Sequence, residues 1–285
     1  MPLTGAGKIA GVIGWPVSHA LSPLLQGYWL AEHGIDGAMV PLTAAPENFS
    51  AVIRGVRLAG FRGVNVTVPH KEAAFALADC WDAAAEAAGA ANLLLFRADE
   101  KVEACNTDEA GFTASLMESM SEGALAGKKI VVLGAGGAAR GIVRALSAMG
   151  AGEIAILARS TVRAQGLAAA LGPGVKAKLS AGDFSAWPET AKNAVLLVNA
   201  TSAGMKAMAA LELPLEPLPQ NAFVCDIVYN PLQTDLLRRA SARGHPVIDG
   251  LGMLMHQAVP SFRAFFGIEP KVTPALRKLL EDALG

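Results

Sequence analysis

The chain has 285 residues, long for one open α/β domain and comfortable for two. Hydrophobic residues make up 52% and charged residues 17%, a core-rich composition far from the disordered regime. A formal net charge of −1 with scattered basic residues excludes an electrostatic footprint for nucleic acid or a membrane surface.

Residues 1–8 lack a basic stretch followed by an apolar run, so no signal peptide is expected. No apolar run approaches the roughly 20 residues a membrane-spanning helix requires. Residues 9–13 read as a strand, 24–33 as a helix closed by Gly34, and 38–42 as a second strand. A helix over 46–59 ends at Gly60, and a strand over 63–68 stops at Pro69. The Ala-rich stretch 83–91, interrupted by Glu86 and Gly89, reads as a small-residue helix and turn. The alternation predicts βαβ units, a parallel sheet and helices on both faces.

A second series starts at Lys128, with strands over 129–133, 154–158, 194–199 and 223–228. Prolines 214, 217 and 219 mark 211–220 as a surface loop, and the chain reads as helical from Ser261 onward. Cys80, Cys105 and Cys225 are odd in number and lack metal-ligand spacing. No disulfide framework and no metal site are expected, and a reducing cytoplasm is.

The most specific local pattern follows the strand at 129–133: Gly134-x-Gly136-x-x-Ala139, then a helix. The first glycine permits the tight turn, the second lets backbone approach a pyrophosphate, and Ala139 keeps helix and strand close. Amides at the helix start favour the phosphate anion. The next strand ends in Ala158-Arg159-Ser160-Thr161, with Arg163 beyond and no carboxylate for a ribose 2′-hydroxyl. Arginine matches phosphate geometry, so NADP is favoured, with NAD still possible.

In the first half, Asn65-Val-Thr67-Val-Pro-His-Lys71 places Asn65 and Thr67 on one face of a strand with Lys71 just beyond. Asn106-Thr107-Asp108 precedes a helix that Asp108 could cap. Taken singly, a surface lysine and a capping aspartate account for both.

Together these motifs resemble the shikimate dehydrogenase family. The resemblance also includes Gly14-x-Pro16-x-x-His19-x-x-Ser22-Pro23, Gly89-Ala-Ala-Asn92 and Asn199-Ala-Thr201-Ser-Ala-Gly204. Asp226-Ile-Val228-Tyr229-Asn-Pro231 and Asp249-Gly250-Leu-Gly-Met-Leu-Met-His-Gln257 complete it, in the family's order over nearly the whole chain.

The resemblance implies an α/β enzyme of two domains, an N-terminal substrate domain and a Rossmann-type dinucleotide-binding domain. The substrate domain is expected over 1–107 with 250–285, and the NADP domain over 108–249. The active site is expected in a cleft at the carboxyl ends of both sheets. The resemblance further implies Lys71 and Asp108 as the catalytic pair. It implies Asn65, Thr67, Asn92 and Gln257 on the substrate's ring hydroxyls, Ser22 on its carboxylate, and Tyr229 lining the same pocket. For the cofactor it implies Gly134, Gly136, Gly137, Ala138, Arg159, Ser160, Arg163, Thr201 and Val228, with Gly250 at the nicotinamide end. The expected activity is reversible hydride transfer between NADP(H) and shikimate or a close analogue. A cytoplasmic monomer or homodimer in the shikimate pathway of aromatic amino acid biosynthesis follows.

Four positions depart from the family pattern. Ala20 replaces one of two carboxylate-binding hydroxyls, Glu109 replaces a glycine after Asn-Thr-Asp, Leu93 a threonine, and Ala158 an asparagine. Ala20 motivates a second reading, quinate dehydrogenase or a relative acting on another cyclic hydroxy acid. Glu109, if it faces the pocket, disfavours an anionic ligand. A nicotinamide-binding regulator without turnover has no need of both Lys71 and Asp108 and is disfavoured.

Overall fold

A computed structural model of the chain describes residues 3–206 and 208–285. Met1 and Pro2, part of the stretch read for a signal peptide, lie outside them. The chain divides into two compact units. One comprises residues up to Thr107 with Met255–Ala283 and Gly285, the other Asp108–Leu254 with Leu284.

The first unit contains β1 (Lys8–Gly14), α1 (Ser22–Glu32), β2 (Gly37–Thr43), α2 (Phe49–Leu58) and β3 (Gly63–Val66). Then come α3 (Lys71–Leu77), β4 (Cys80–Trp81), α4 (Ala83–Ala88), β5 (Leu93–Phe96) and β6 (Val102–Cys105). Its described strands form one sheet in the order β2-β1-β3-β5-β6-β4. This sheet is mixed, which corrects the parallel expectation. β1 pairs in parallel with β2 and β3, whereas β5 runs antiparallel to both β3 and β6. Residues 97–101 between β5 and β6 are too few for a crossover, and the left-handed φ of +66° at Glu100 turns the chain straight back. Alternate residues of β1, β3 and β5, including Ile13, Val64, Val66 and Leu94, pack on Phe49 and Ile53 of α2 and Ala74 of α3. The expected strand over 63–68 stops at Val66.

The second unit contains α5 (Asp108–Met117), β7 (Lys129–Leu133), α6 (Gly137–Ala148), β8 (Glu153–Leu157), α7 (Thr161–Leu171) and β9 (Lys178–Gly182). After these come α8 (Trp187–Thr190), β10 (Ala194–Asn199), β11 (Phe223–Asp226), α9 (Asp235–Ala242) and β12 (Val247–Ile248). All its described strands are parallel, in the order β12-β11-β10-β7-β8-β9. Read from β9, this is the doubly wound Rossmann order, with the reversal between β7 and β10. Ile130, Val132, Ile154 and Ile156 face one core with α5 and α6, while Val131, Leu133, Leu157 and Leu197 face another with α9. Burial on both faces is why these strands are apolar throughout.

Two more expectations change. Leu213, Leu215 and Leu218 of the proline-rich loop are buried in the α9-side core, so that loop is not merely a surface feature. Arg239 donates to the Leu211 and Leu213 carbonyls at 2.6 and 2.8 Å, and Trp187 Nε1 to that of Pro214 at 2.6 Å. These side chains give the loop's carbonyls the donors that a strand ladder would otherwise supply. The last helices are α10 (Gly250–Phe266), which starts well before Ser261 and contains Pro260, and α11 (Pro274–Leu284). Among the described residues no helix is long and apolar enough to cross a membrane.

Candidate active site

In the first unit, His70 is turned inward, with Nε2 on the Ala44 carbonyl at 2.8 Å and its ring stacked on Phe49. That anchor starts α3 at Lys71, whose carbonyl accepts from the Ala91 amide at 2.9 Å. Lys71 is half-buried. One residue further on, Asn92 is buried, exchanges hydrogen bonds with Thr107 (2.9 Å to Oγ1, 2.8 Å from its amide), and donates to Gln257 Oε1 at 3.3 Å. Thr107 Oγ1 also donates to the Gln257 carbonyl at 2.9 Å. Asn65 lies on β3, beside Asn92 on the neighbouring chain segment, and its Nδ2 donates to Ser261 Oγ at 2.7 Å. Asn65, Asn92 and Gln257 thus form one cluster of amides, with the Lys71 backbone tied in beside it.

Thr67 leans its methyl over Gly14, where an added Cβ would come within 2.5 Å of it. Ser22 stands in the first turn of α1, half-buried. Gln26 was not singled out in the sequence. It is completely buried in α1 and donates to Asn65 Oδ1 at 3.0 Å, so the Asn65 amide is oriented from both ends. Nothing local in a helical glutamine announces a partner 39 residues away.

In the second unit, Asp108 is completely buried and is the first residue of α5, not the residue capping it as expected. It packs against α6: a Cβ on Gly141 would come within 2.9 Å of the Asp108 Cβ. Glu109 accepts from Arg144 Nε at 3.0 Å, so its charge is opposed within its own unit and the expected penalty on an anionic ligand is reduced.

The glycine-rich turn follows β7. Gly134 has φ +112°, a conformation that favours glycine. Gly136 caps α6, and a Cβ built there meets no protein atom within 4 Å. The turn therefore leaves open space beside the first amides of α6, Gly137 and Ala138, which fits a dinucleotide phosphate. Ser160 caps α7 by accepting from the Arg163 amide at 3.4 Å, and Arg159 and Arg163 are both exposed. Thr201 follows β10, Val228 and Tyr229 follow β11, and Gly250 opens α10. A buried network of Asn199, Asp226 and Thr234 beneath these segments also escaped sequence reading.

Residues 12–94 match the family model described as the shikimate dehydrogenase substrate binding domain, and residues 115–228 that of shikimate / quinate 5-dehydrogenase. The chain is 48% identical to a shikimate dehydrogenase (NADP(+)) of Paramagnetospirillum magneticum, over 96% of this chain and 98% of that one. Among solved structures it is similar to shikimate 5-dehydrogenase from Thermus thermophilus in complex with NADP(H) and shikimate. That match has a TM-score of 0.82 and 35% identity, covering 97% of this chain and 98% of that one. Quinate dehydrogenase from Corynebacterium glutamicum in complex with NAD is also similar, with a TM-score of 0.87, 28% identity, and coverage of 97% and 99%. A Rossmann unit, an amide cluster beside a lysine, and identity running the length of the chain converge: this protein belongs to the shikimate dehydrogenase family.

Proposed function

We infer that Lys71 and Asp108 are the catalytic pair of this enzyme, and that Ser22, Asn65, Thr67, Asn92, Tyr229 and Gln257 hold its substrate. The chain is an NADP-dependent oxidoreductase of the shikimate dehydrogenase type, acting on a CH–OH group. The observation that carries the site reading is the cluster of Asn65, Asn92 and Gln257 beside Lys71. Three amides gathered in one place suit a ring bearing several hydroxyls. Bound NADP supplies the hydride acceptor. Lys71 Nζ takes the hydroxyl proton in the oxidising direction and returns it in the other, and Asp108 is the second member of the pair. Residues 134, 136–138, 159, 160, 163, 201, 228 and 250 hold the cofactor.

On this reading residues 1–107 with 250–285 form the substrate domain, and 108–249 the cofactor domain. The enzyme works in the cytoplasm as a monomer or homodimer, in keeping with three free cysteines. Quinate is the second substrate reading, favoured by the methyl group of Ala20 where a carboxylate-binding hydroxyl is expected.

The test is a spectrophotometric assay at ~340 nm, the reduced-nicotinamide band, of shikimate and quinate with NADP and NAD. Shikimate with NADP is expected to turn over fastest; faster quinate turnover establishes the second reading. Lys71→Ala and Asp108→Ala are each expected to lower turnover by about 10²–10⁴ with NADPH affinity preserved. Unchanged turnover in either variant removes that residue from the mechanism.

A further inference from the structure

Three strands of the second unit end at one level. Leu133 of β7 pairs in register with Asn199 of β10, and Asn199 with Asp226 of β11. The segments that follow therefore leave the sheet side by side. Asp226 is completely buried, a position where a carboxylate is tolerated only with a full set of donors. It has them. Oδ1 accepts from Asn199 Nδ2 at 2.9 Å and from the Val228 amide at 3.0 Å, and Oδ2 accepts from Thr234 Oγ1 at 2.7 Å.

The consequence runs back toward the glycine-rich turn. An asparagine amide can lie in two orientations, and the acceptors facing Asn199, the Asp226 carboxylate at 2.9 Å and the Ala203 carbonyl at 3.2 Å, select the one that presents Nδ2 to them. Asn199 Oδ1 is thereby turned to Thr201, accepting from its amide at 3.1 Å and its hydroxyl at 2.7 Å. Thr201 Oγ1 in turn accepts from the Ala203 amide at 3.0 Å. The Thr201 methyl lies against the turn itself: a Cβ on Gly134 would meet Cγ2 at 3.0 Å and the Ala200 carbonyl at 2.9 Å.

We propose that Asp226 is a positioning residue for the cofactor, holding the dinucleotide turn in shape through Asn199 and Thr201. The proposal rests on reading residues 134–138 and Thr201 as cofactor contacts. A fold brace alone would use the same hydrogen bonds, so the discriminating measurement is ligand affinity in folded protein.

The experiment titrates NADPH into the full-length protein by fluorescence, well below the melting transition. Gly136→Ala checks the turn reading first, because its Cβ meets no protein atom within 4 Å and only a ligand would feel it. Asp226→Ala is expected to weaken NADPH binding about tenfold or more, with the KM for shikimate at saturating NADP unchanged. Asp226→Asn keeps an acceptor for Asn199 and should recover affinity to within about threefold. Thr201→Val should weaken binding, and Asp226→Ala combined with Thr201→Val should lose clearly less than the two single losses added together, since both cut one chain of contacts. Unchanged affinity in Asp226→Ala, or strictly additive losses in the double variant, overturns the relay while leaving the turn reading intact. Full affinity in Gly136→Ala overturns the turn reading and the proposal with it. If Asp226→Ala does not fold, Asn199→Ala tests the same chain and leaves Asp226 its bonds to Val228 and Thr234. The same loss is expected, and undiminished affinity overturns the proposal.

Discussion

Arg159 stands directly after Ala158 at the end of β8, exposed, on the doorstep of a helix whose cap is Ser160. A guanidinium there has no competing role in the core, so its replacement should act on the ligand and not on the fold. Arg159→Ala is expected to raise the KM for NADP by roughly 10- to 150-fold and that for NAD far less, the worth of one charge-assisted phosphate contact. Equal rises for both cofactors would falsify the assignment of Arg159 to the 2′-phosphate. Asn65 shows the opposite situation. Its amide is committed to Gln26, Ser261 and the Asn92 carbonyl, so what it offers a ligand is set by residues on α1 and α10. Glu109 is a third case, where a charge read in isolation is opposed by Arg144 one helix away.

Among the elements, α10 begins at a tight backbone approach. A Cβ on Gly250 would lie 2.2 Å from the Ile227 carbonyl oxygen and 2.8 Å from the Val228 carbonyl carbon. Backbone cannot yield as a flexible side chain does, so the start of α10 and the segment after β11 must part. Gly250→Ala is expected to destabilise the protein by about 1–3 kcal/mol or more, read as a lowered thermal midpoint. An unchanged midpoint would show that the two segments separate freely. The same logic explains the proline-rich loop. It lacks a ladder, yet Arg239 and Trp187 supply donors to its carbonyls, so its leucines can stay in the core.

At the scale of the whole molecule, stability depends on pH through Asp226. Burial pushes its carboxyl up to about 6 from an ordinary 3.8, against the pull of Thr234, Val228 and Asn199. The folded protein then binds the Asp226 proton more tightly than the unfolded chain does. Its contribution is fully favourable below the unfolded value and is lost as pH rises through the window between about 4 and 6. That displacement corresponds to about 3 kcal/mol. Asp226→Asn cannot ionise, so its stability relative to the natural protein should improve by up to about 3 kcal/mol between pH 4 and pH 7. Denaturant unfolding of both proteins at the two pH values checks this, with other titrating groups cancelling in the difference. A pH-independent difference would show that the carboxylate titrates as it does in the unfolded chain.

The Rossmann strands and the glycine-rich turn were legible in the chain because their causes are local. Strands covered on both faces must be apolar at every position, and a turn at φ +112° selects glycine whatever surrounds it. The ordered motifs carried the family for the same reason: each is a short stretch read without reference to the rest. Other features were decided only in three dimensions. The direction of β5, the start of α10 before Ser261, and the burial of the proline-rich loop depend on what packs against them. So do the buried amide of Gln26 and the carboxylate of Asp226. Asn65 meets Ser261 across 196 residues and Asn199 meets Asp226 across 27. A polar side chain in sequence carries no mark of whether it will be solvated or buried, and only the packed core that excludes water forces it to find such a partner.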